Sequence, residues 1–249
     1  MASESQRLIV ITGASRGLGL EWVRQLSQDP KNFIIAAVRN PDNATLLKPL
    51  LSSRVVSIQG DVADIDSFPA VVKKITEIGG GRVDLLINNA GVMQGTGAAF
   101  TTGISHSTVE EWEAQFRVNV IGLVFFTIAL IPLLKNSNEK RIVNVASMLG
   151  DLRYTAENQV HFSSYAATKA AVTMANAKFH LEFKDEGLIF LALNPGWVNT
   201  DLAGEGAGSY APLQPEESIS RCLSFVNRST INDSGKFWSL DGSPEAITK

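Results

Sequence analysis

Cysteine is nearly absent: Cys222 is the one such residue in 249. No intrachain disulfide can close, and with three histidines in the whole chain there is no His/Cys cluster of zinc-ligand spacing. No metal site is expected, and a reducing, cytoplasmic setting is. Charge is scarce too. Lys+Arg at 22 against Asp+Glu at 25 leaves a formal net charge of −3, with no basic block. That excludes the electrostatic footprint of a nucleic-acid binder or of a protein held on an anionic membrane. A charged fraction of 19% with a mean hydropathy of +0.07 excludes a disordered chain, which needs low hydrophobicity and high net charge. The opening MASESQRLIVITG has too short an apolar run for a signal peptide. One long apolar run exists, Val118 to Leu134. It lies at the low edge of the roughly 17–25 residues that a bilayer requires. It carries Asn119, Gly122 and Pro132, no basic flank sets an orientation, and it reads as a buried helix of a soluble protein.

What is present in quantity is apolar side chain, 45% of the chain, enough for one large core. A single domain spanning 1–249 is expected, because no linker divides the chain and no repeat recurs. Two kinds of segment alternate. Leu8–Thr12, Phe33–Val38, Val55–Gln59, Val83–Asn88, Arg141–Ala146 and Leu188–Leu193 are short, β-branched and without period-2 alternation. Such runs suit strands covered on both faces. Between them lie helix-compatible stretches: Leu18–Gln28, Asn43–Leu51, Ile65–Ile78, Thr108–Leu134 and Ser163–Asp185, with a further helix starting near Pro215. The fold class is α/β: a doubly wound, Rossmann-type parallel sheet with helices on both faces. Ligands of such sheets bind beyond the carboxyl ends of the strands. Ala203–Ser209 (AGEGAGS) reads as a mobile loop there.

The strand ends carry the chemistry. The first strand runs into Gly13-Ala14-Ser15-Arg16-Gly17-Leu18-Gly19. Glycines there permit a tight turn and close approach to a pyrophosphate, and the following helix offers free N–H groups. The spacing G-x-x-x-G-x-G departs from the G-x-G-x-x-G fingerprint, so the turn alone is modest evidence. Tyr165 and Lys169 stand at i and i+4 in a helix-compatible segment, on one face. An ammonium beside a phenol lowers the phenol's pKa and makes a proton donor for a carbonyl oxygen. Asn88-Asn89-Ala90-Gly91, Ser147 and Asn194-Pro195-Gly196 end the fourth, fifth and sixth strands, and Asn119 opens the apolar helix. No acid ends the second strand, which closes Val38-Arg39-Asn40. Arg39 and Arg16 are two guanidinium groups suited to a 2′-phosphate.

Together these motifs resemble the short-chain dehydrogenase/reductase family over essentially the whole chain. The likeness rests on TGASRGLG, Asp61-Val62, NNAG, Asn119, Ser147, Tyr165/Lys169 and PGWVNT at 195–200. Within the family, ASRGLGLEWVRQL, AVRNP and FWSLDG look most like the C-factor/sniffer-type carbonyl reductases and their fungal relatives. The resemblance implies an NADP(H)-dependent oxidoreductase. Tyr165 would be the general acid in reduction, and Lys169 would lower its pKa and hold the nicotinamide ribose. Ser147 would bind the substrate oxygen, and Asn119 would place a water linked to Lys169. Gly13, Ser15, Arg16, Gly17, Leu18 and Gly19 would line the cofactor phosphates. Asp61 and Val62 would meet the adenine, with Arg39 on the phosphate side. Asn89, Ala90 and Gly91 would lie along the ribose, and Pro195, Gly196, Val198 and Thr200 at the carboxamide.

One spacing departs from the family's habit: Ser147 and Tyr165 stand 18 positions apart, where about a dozen is commoner. The extra residues fall in Leu149–Ser163; Ser163 and Ser164 read as helix caps. Val92, Met93, Gln94, the Leu149–Phe162 loop, Trp197 and Leu202–Pro212 should form a mainly apolar pocket for a hydrophobic, cyclic or aromatic carbonyl or alcohol. His106, His161 and His180 read as incidental, and Trp22 as packing. Relatives associate through the two long helices, here about 108–134 and 163–185, while some remain monomeric; the resemblance favours a homodimer or homotetramer. Rival readings are dehydration or epimerisation of a specialised metabolite on the same fold, and a cofactor-binding sensor without turnover.

Overall fold

A computed structural model describes residues 2–3, 5–204 and 207–244. Seven strands form one parallel sheet: β1 (Arg7–Thr12), β2 (Asn32–Val38), β3 (Val55–Gln59), β4 (Leu85–Asn88), β5 (Arg141–Val145), β6 (Ile189–Asn194) and β7 (Phe237–Ser239), in the order β3-β2-β1-β4-β5-β6-β7. All seven residues of β2 are buried, which explains the absence of alternation in the sequence. Successive side chains still take opposite faces. On β1, Ile9 and Ile11 join a core with Trp22 and Leu26 of α1 (Gly17–Leu26) and with Ile219 and Phe225 of α7 (Pro215–Arg228). Leu8 and Val10 face the other core. It contains Val71 and Ile75 of α2 (Phe68–Gly79), Phe126 and Leu130 of α4 (Leu123–Lys135), and Phe179 of α6 (Ser163–Phe183). Trp22 is the packing residue expected.

After β3 the chain crosses over β1 to form β4, so the strand order reverses between β1 and β4. Their carboxyl ends open a crevice there, the usual ligand site of such a sheet.

Several elements differ from the expectation. Asn43–Leu51 is not a helix; only Lys48–Leu50 coils, as a 3₁₀ turn. Pro49 cannot donate to an i−4 carbonyl, and its ring clashes with that turn, so the preceding bonds close tightly, as from the Leu47 N–H to Ala44 O at 3.0 Å. The long apolar helix is real but interrupted: α3 (Val109–Phe116) passes through a π-helical turn, Arg117–Gly122, into α4. By length and hydropathy Val109–Lys135 could cross a membrane, but half of its most apolar window is buried within the protein. The Leu149–Ser163 insertion contains an unanticipated helix, α5 (Leu152–Asn158). Asp151 caps it, accepting from the N–H groups of Arg153 (2.8 Å) and Tyr154 (3.2 Å). The short strand β7 was likewise not expected.

A buried amide ladder ties the catalytic side of the sheet to α6. Asn88 Nδ2 donates to Asn144 Oδ1 (2.9 Å), Asn144 Nδ2 to Asn176 Oδ1 (3.0 Å), and Asn176 Nδ2 to Phe190 O (3.3 Å). Every member of this network is satisfied, which is the condition for a buried polar chain to specify one packing.

Candidate active site

The glycine-rich turn is folded as tightly as its sequence suggests. Gly13 (φ 66°) and Gly17 (φ 54°) are left-handed, and a Cβ at Gly13 would lie 2.7 Å from Ala90 Cα. A Cβ at Gly19 would collide with Gly13 O and the Asn89 amide. The close approach is held by Thr12, whose Oγ1 accepts from the N–H groups of Asn89 and Ala90, both at 3.1 Å. Asn89 donates its own amide back to Thr12 O (3.1 Å) and Gly13 O (3.2 Å). Both Asn89 donors therefore brace the turn, leaving only Oδ1 to face the crevice. Helix α1 begins here with no side-chain cap and no acid in its first turn, an arrangement suited to an anion. Gly17 also approaches Thr200: its Cβ would lie 3.6 Å from Thr200 Cγ2. The phosphate and carboxamide parts of the expected cofactor track thus lie side by side. Arg16 and Arg39 are both exposed, and neither side chain takes a hydrogen bond or ion pair among the described residues. Asp61 Oδ1 accepts from Ala63 N (2.9 Å), which shapes the turn after β3. Val62 is buried there, and the π turn packs on its carbonyl through Gly122.

Asn119 sits in the π turn and is buried. π turns are rare and concentrate at functional sites. Its Oδ1 accepts from Val92 N (2.8 Å), while Nδ2 donates to Val92 O (2.9 Å) and Thr168 Oγ1 (3.0 Å). With both amide donors used, Asn119 clamps the NNAG loop onto α6; any water it places must use its carbonyl oxygens. Gly91 stands beside it, where a Cβ would lie 3.4 Å from Asn119 Oδ1 and 3.9 Å from Lys169 Nζ.

Ser147 follows β5 and caps the 3₁₀ turn Met148–Gly150, accepting from Leu149 N at 3.2 Å. Its hydroxyl proton remains to donate. That turn lies directly on the helix bearing Tyr165 and Lys169: a Cβ at Gly150 would lie 2.5 Å from Ala170 N and 2.6 Å from Lys169 C. The long spacing to Tyr165 is therefore no obstacle, since α5 loops out between two segments that touch.

Tyr165 and Lys169 are buried one turn apart on α6, with Lys169 Nζ 5.5 Å from the Tyr165 ring centroid. Nζ donates to Val145 O at 2.7 Å. Burial pushes the Tyr165 phenol well above its ordinary value, and a hydrogen bond with Ser147 opposes this. Burial also lowers the Lys169 ammonium to about 8. The depression of Tyr165 by Lys169 that the sequence suggests is not found in this arrangement. Nζ is turned onto the β5 carbonyl, and desolvation of the phenol outweighs the effect of Ser147.

The short-chain dehydrogenase model matches residues 7–208. The chain belongs to the short-chain dehydrogenase family. It is thus an oxidoreductase acting on CH–OH/C=O groups of a small molecule with a nicotinamide cofactor. A short chain dehydrogenase of Hypocrea virens, virK, is 33% identical over 96% of this chain and 88% of its own length. Among solved structures, the NADPH-bound carbonyl reductase from chicken fatty liver is 28% identical, with a TM-score of 0.85 over 97% of this chain and 99% of that one. The carbonyl reductase Sniffer of Drosophila melanogaster is 25% identical, with a TM-score of 0.87 over the same shares.

In this short-chain dehydrogenase, Ser163, Ser164 and His180 depart from their expected roles. Ser163 and Ser164 are not caps. Phe162 holds the N-cap position of α6 in the left-handed region (φ 42°, ψ 42°) with no side-chain cap, and the Ser164 hydroxyl is fully buried against Glu111. His180 is structural, with Nδ1 2.9 Å from Ser234 Oγ. Phe100 went unnoticed: its ring packs edge-on against Phe162 (4.6 Å between centroids) and lies 6.2 Å from Trp197. These rings come from three separate loops, so no spacing in the sequence links them. The loop after β6 is wound into 3₁₀ turns at Asp201–Ala203 and Ala207–Tyr210, with Gly208 buried against the Thr200 backbone. Glu205 and Gly206 of the Ala203–Ser209 segment lie outside the described residues.

Proposed function

We propose that this chain is an NADPH-dependent reductase of a hydrophobic ketone or aldehyde, with Tyr165 as the proton donor and alcohol oxidation as its reverse. The observation that carries this reading is the meeting of Ser147, Tyr165 and Lys169 at the carboxyl end of β5. The Ser147 turn lies on the α6 backbone, and Ser147 draws the phenol's raised pKa back down. When bound, the nicotinamide supplies the hydride. Tyr165, kept protonated by burial, gives its proton to the carbonyl oxygen while Ser147 donates a hydrogen bond to the same atom. Lys169, whose pKa of about 8 leaves it mostly cationic at neutral pH, stabilises the phenolate as it forms. Asn119 keeps the NNAG loop and α6 in register around them.

Preference for NADPH is supported by Arg16 and Arg39, exposed and unpaired beside the glycine-rich turn and at the end of β2, and by the absence of an acid there. An apolar substrate is supported by the rings of Phe100 and Trp197, 56% and 48% exposed at the strand ends. A cytoplasmic location fits the single cysteine, which is buried and whose thiol burial pushes up to about 12. Association into a homodimer or homotetramer is supported by Phe125, Ile128, Met174 and Leu181, exposed on α4 and α6.

The test is NADPH consumption with a panel of apolar ketones and aldehydes. Tyr165→Phe should lower kcat by about 10²–10⁴-fold, the worth of general acid catalysis, with NADPH affinity nearly unchanged. Near-normal turnover by a folded Tyr165→Phe variant would refute the mechanism.

A further inference from the structure

We propose that Glu111 is a positioning residue for the proton donor: its buried carboxylate ties the loop after β4 to the first turn of α6 and so fixes where Tyr165 stands. The inference rests on the reading of Tyr165 given above, and it adds a residue from outside the catalytic constellation.

Glu111 lies on α3 and is 8% exposed. A carboxylate is costly to bury unless its lone pairs are met. Here they are, and from two directions. Thr96, in the loop after β4, donates through its N–H at 3.0 Å and through its hydroxyl. Ser164, which immediately precedes Tyr165, donates its hydroxyl at 2.6 Å. One turn further along α3, Gln115 repeats the bridge, donating to Ser164 Oγ at 2.5 Å and to Gln94 O at 3.3 Å. Burial pushes the Glu111 carboxyl up, but the hydrogen bonds from Ser164 and Thr96 outweigh it and hold it below its ordinary value. The group is therefore charged at neutral pH.

The loop is cut to fit this clamp. A Cβ at Gly97 would lie 2.7 Å from Ser164 Oγ and from the Gln115 amide, and one at Gly95 (φ 56°) would collide with the Glu111 carboxylate. The helix start needs such an anchor. Phe162 holds a left-handed conformation that is strained for a bulky residue and persists only where its surroundings over-determine it. Its N–H donates to Ala99 O at 3.1 Å, and Ser164 is fastened to Glu111 two residues on. A negative charge at this end also complements the dipole of α6. Apolar contact would bury the same area. Directional bonds to two elements additionally set the angle at which α6 presents Tyr165.

Glu111→Gln keeps the volume but removes the charge, and its amide can no longer accept on every side. Ser164→Ala cuts the same link from the helix. Four quantities decide the matter: kcat, KM for the best carbonyl, the Kd for NADPH, and amide exchange over 95–99 and 163–166. Each single variant should lose about 10- to 100-fold in kcat, the scale of an ångström misplacement, with KM and Kd within about twofold. The double variant should be no slower than the worse single, because both break one link. Exchange should quicken in both segments together. Unchanged kcat in a folded Glu111→Gln protein overturns the proposal, as does a double variant whose losses multiply or exchange that quickens in one segment alone. Should Glu111→Gln fail to fold, Ser164→Ala decides by the same readings. Wild-type protein inert toward every carbonyl would overturn the proposed function and the positioning role with it. Exchange would then still decide whether the clamp exists.

Discussion

NADPH differs from NADH by a single 2′-phosphate, and a fork of charged donors such as that of Arg39 is what a phosphate requires. Arg39→Ala should weaken NADPH binding by about 1.5–3 kcal/mol, the range for a hydrogen bond to a charged group. NADH binding should stay nearly constant. Equal titration of both cofactors by the wild-type protein at moderate salt would remove the two-arginine argument. Lys169 makes a prediction in pH. Its ammonium, lowered by burial to about 8, is cationic below that value and loses its charge above it. Reduction, which forms a phenolate beside it, should therefore run on a plateau below pH 8 and decline above. Oxidation should rise over the same range, because Tyr165, pushed upward by its burial, must first give up its proton. A kcat/KM profile for reduction that stays flat to pH 10 would take Lys169 out of the step.

At the scale of elements, the site depends on turns that lie against helices without intervening side chains. Gly150 is the sharpest case, because the turn after Ser147 rests on the Lys169–Ala170 backbone. Gly150→Ala should destabilise the fold by about 1–3 kcal/mol, the usual result of overpacking. That corresponds to roughly 2–4 °C in Tm per kcal/mol for a domain of this size. Turnover at 25 °C should fall further than the fraction folded, since Ser147 moves with the turn. Parallel losses in activity and folded fraction would show a packing role alone. The loop after β6 is expected to close over the nicotinamide end, and amide exchange at Thr200–Tyr210 should slow when NADPH and substrate are added together. Equal rates in the free and ternary states would mark it as passive surface.

Across the whole molecule, the outer faces of α4 and α6 leave Phe125, Ile128, Met174 and Leu181 between 48% and 61% exposed. Large apolar side chains exposed on α4 and α6 suit an interface between copies better than a solvated surface. Light scattering should report a dimer or tetramer for the wild-type chain. Phe125→Asp with Ile128→Asp should yield a folded species of lower mass. A wild-type monomer at micromolar concentration would exclude the assembly.

Much of this architecture is legible in the amino-acid sequence. Buried parallel strands announce themselves as continuous β-branched runs, because both of their faces must be apolar. The strand ends are marked by residues with special backbone demands, as Gly13 and Gly17 illustrate. Tyr165 and Lys169 could be paired from their spacing because a helix sets i and i+4 on one face. The sequence failed where local preference was weak or contact was long-range. Asn43–Leu51 has helical composition, but Pro49 permits only a 3₁₀ turn; β7 is three residues long, too short to show a period. The sheet, the crevice at its strand ends and the candidate catalytic residues can be read from the chain alone, since periodicity and sterics are local. Packing in three dimensions was needed to bring Ser147 onto α6 despite its long loop, to turn Lys169 to Val145, to join Phe100 to Trp197, and to anchor Ser164 on Glu111. Each of those is a contact between segments far apart in the chain, and such contacts are chosen by packing and by the need to satisfy buried polar groups, which no local pattern records.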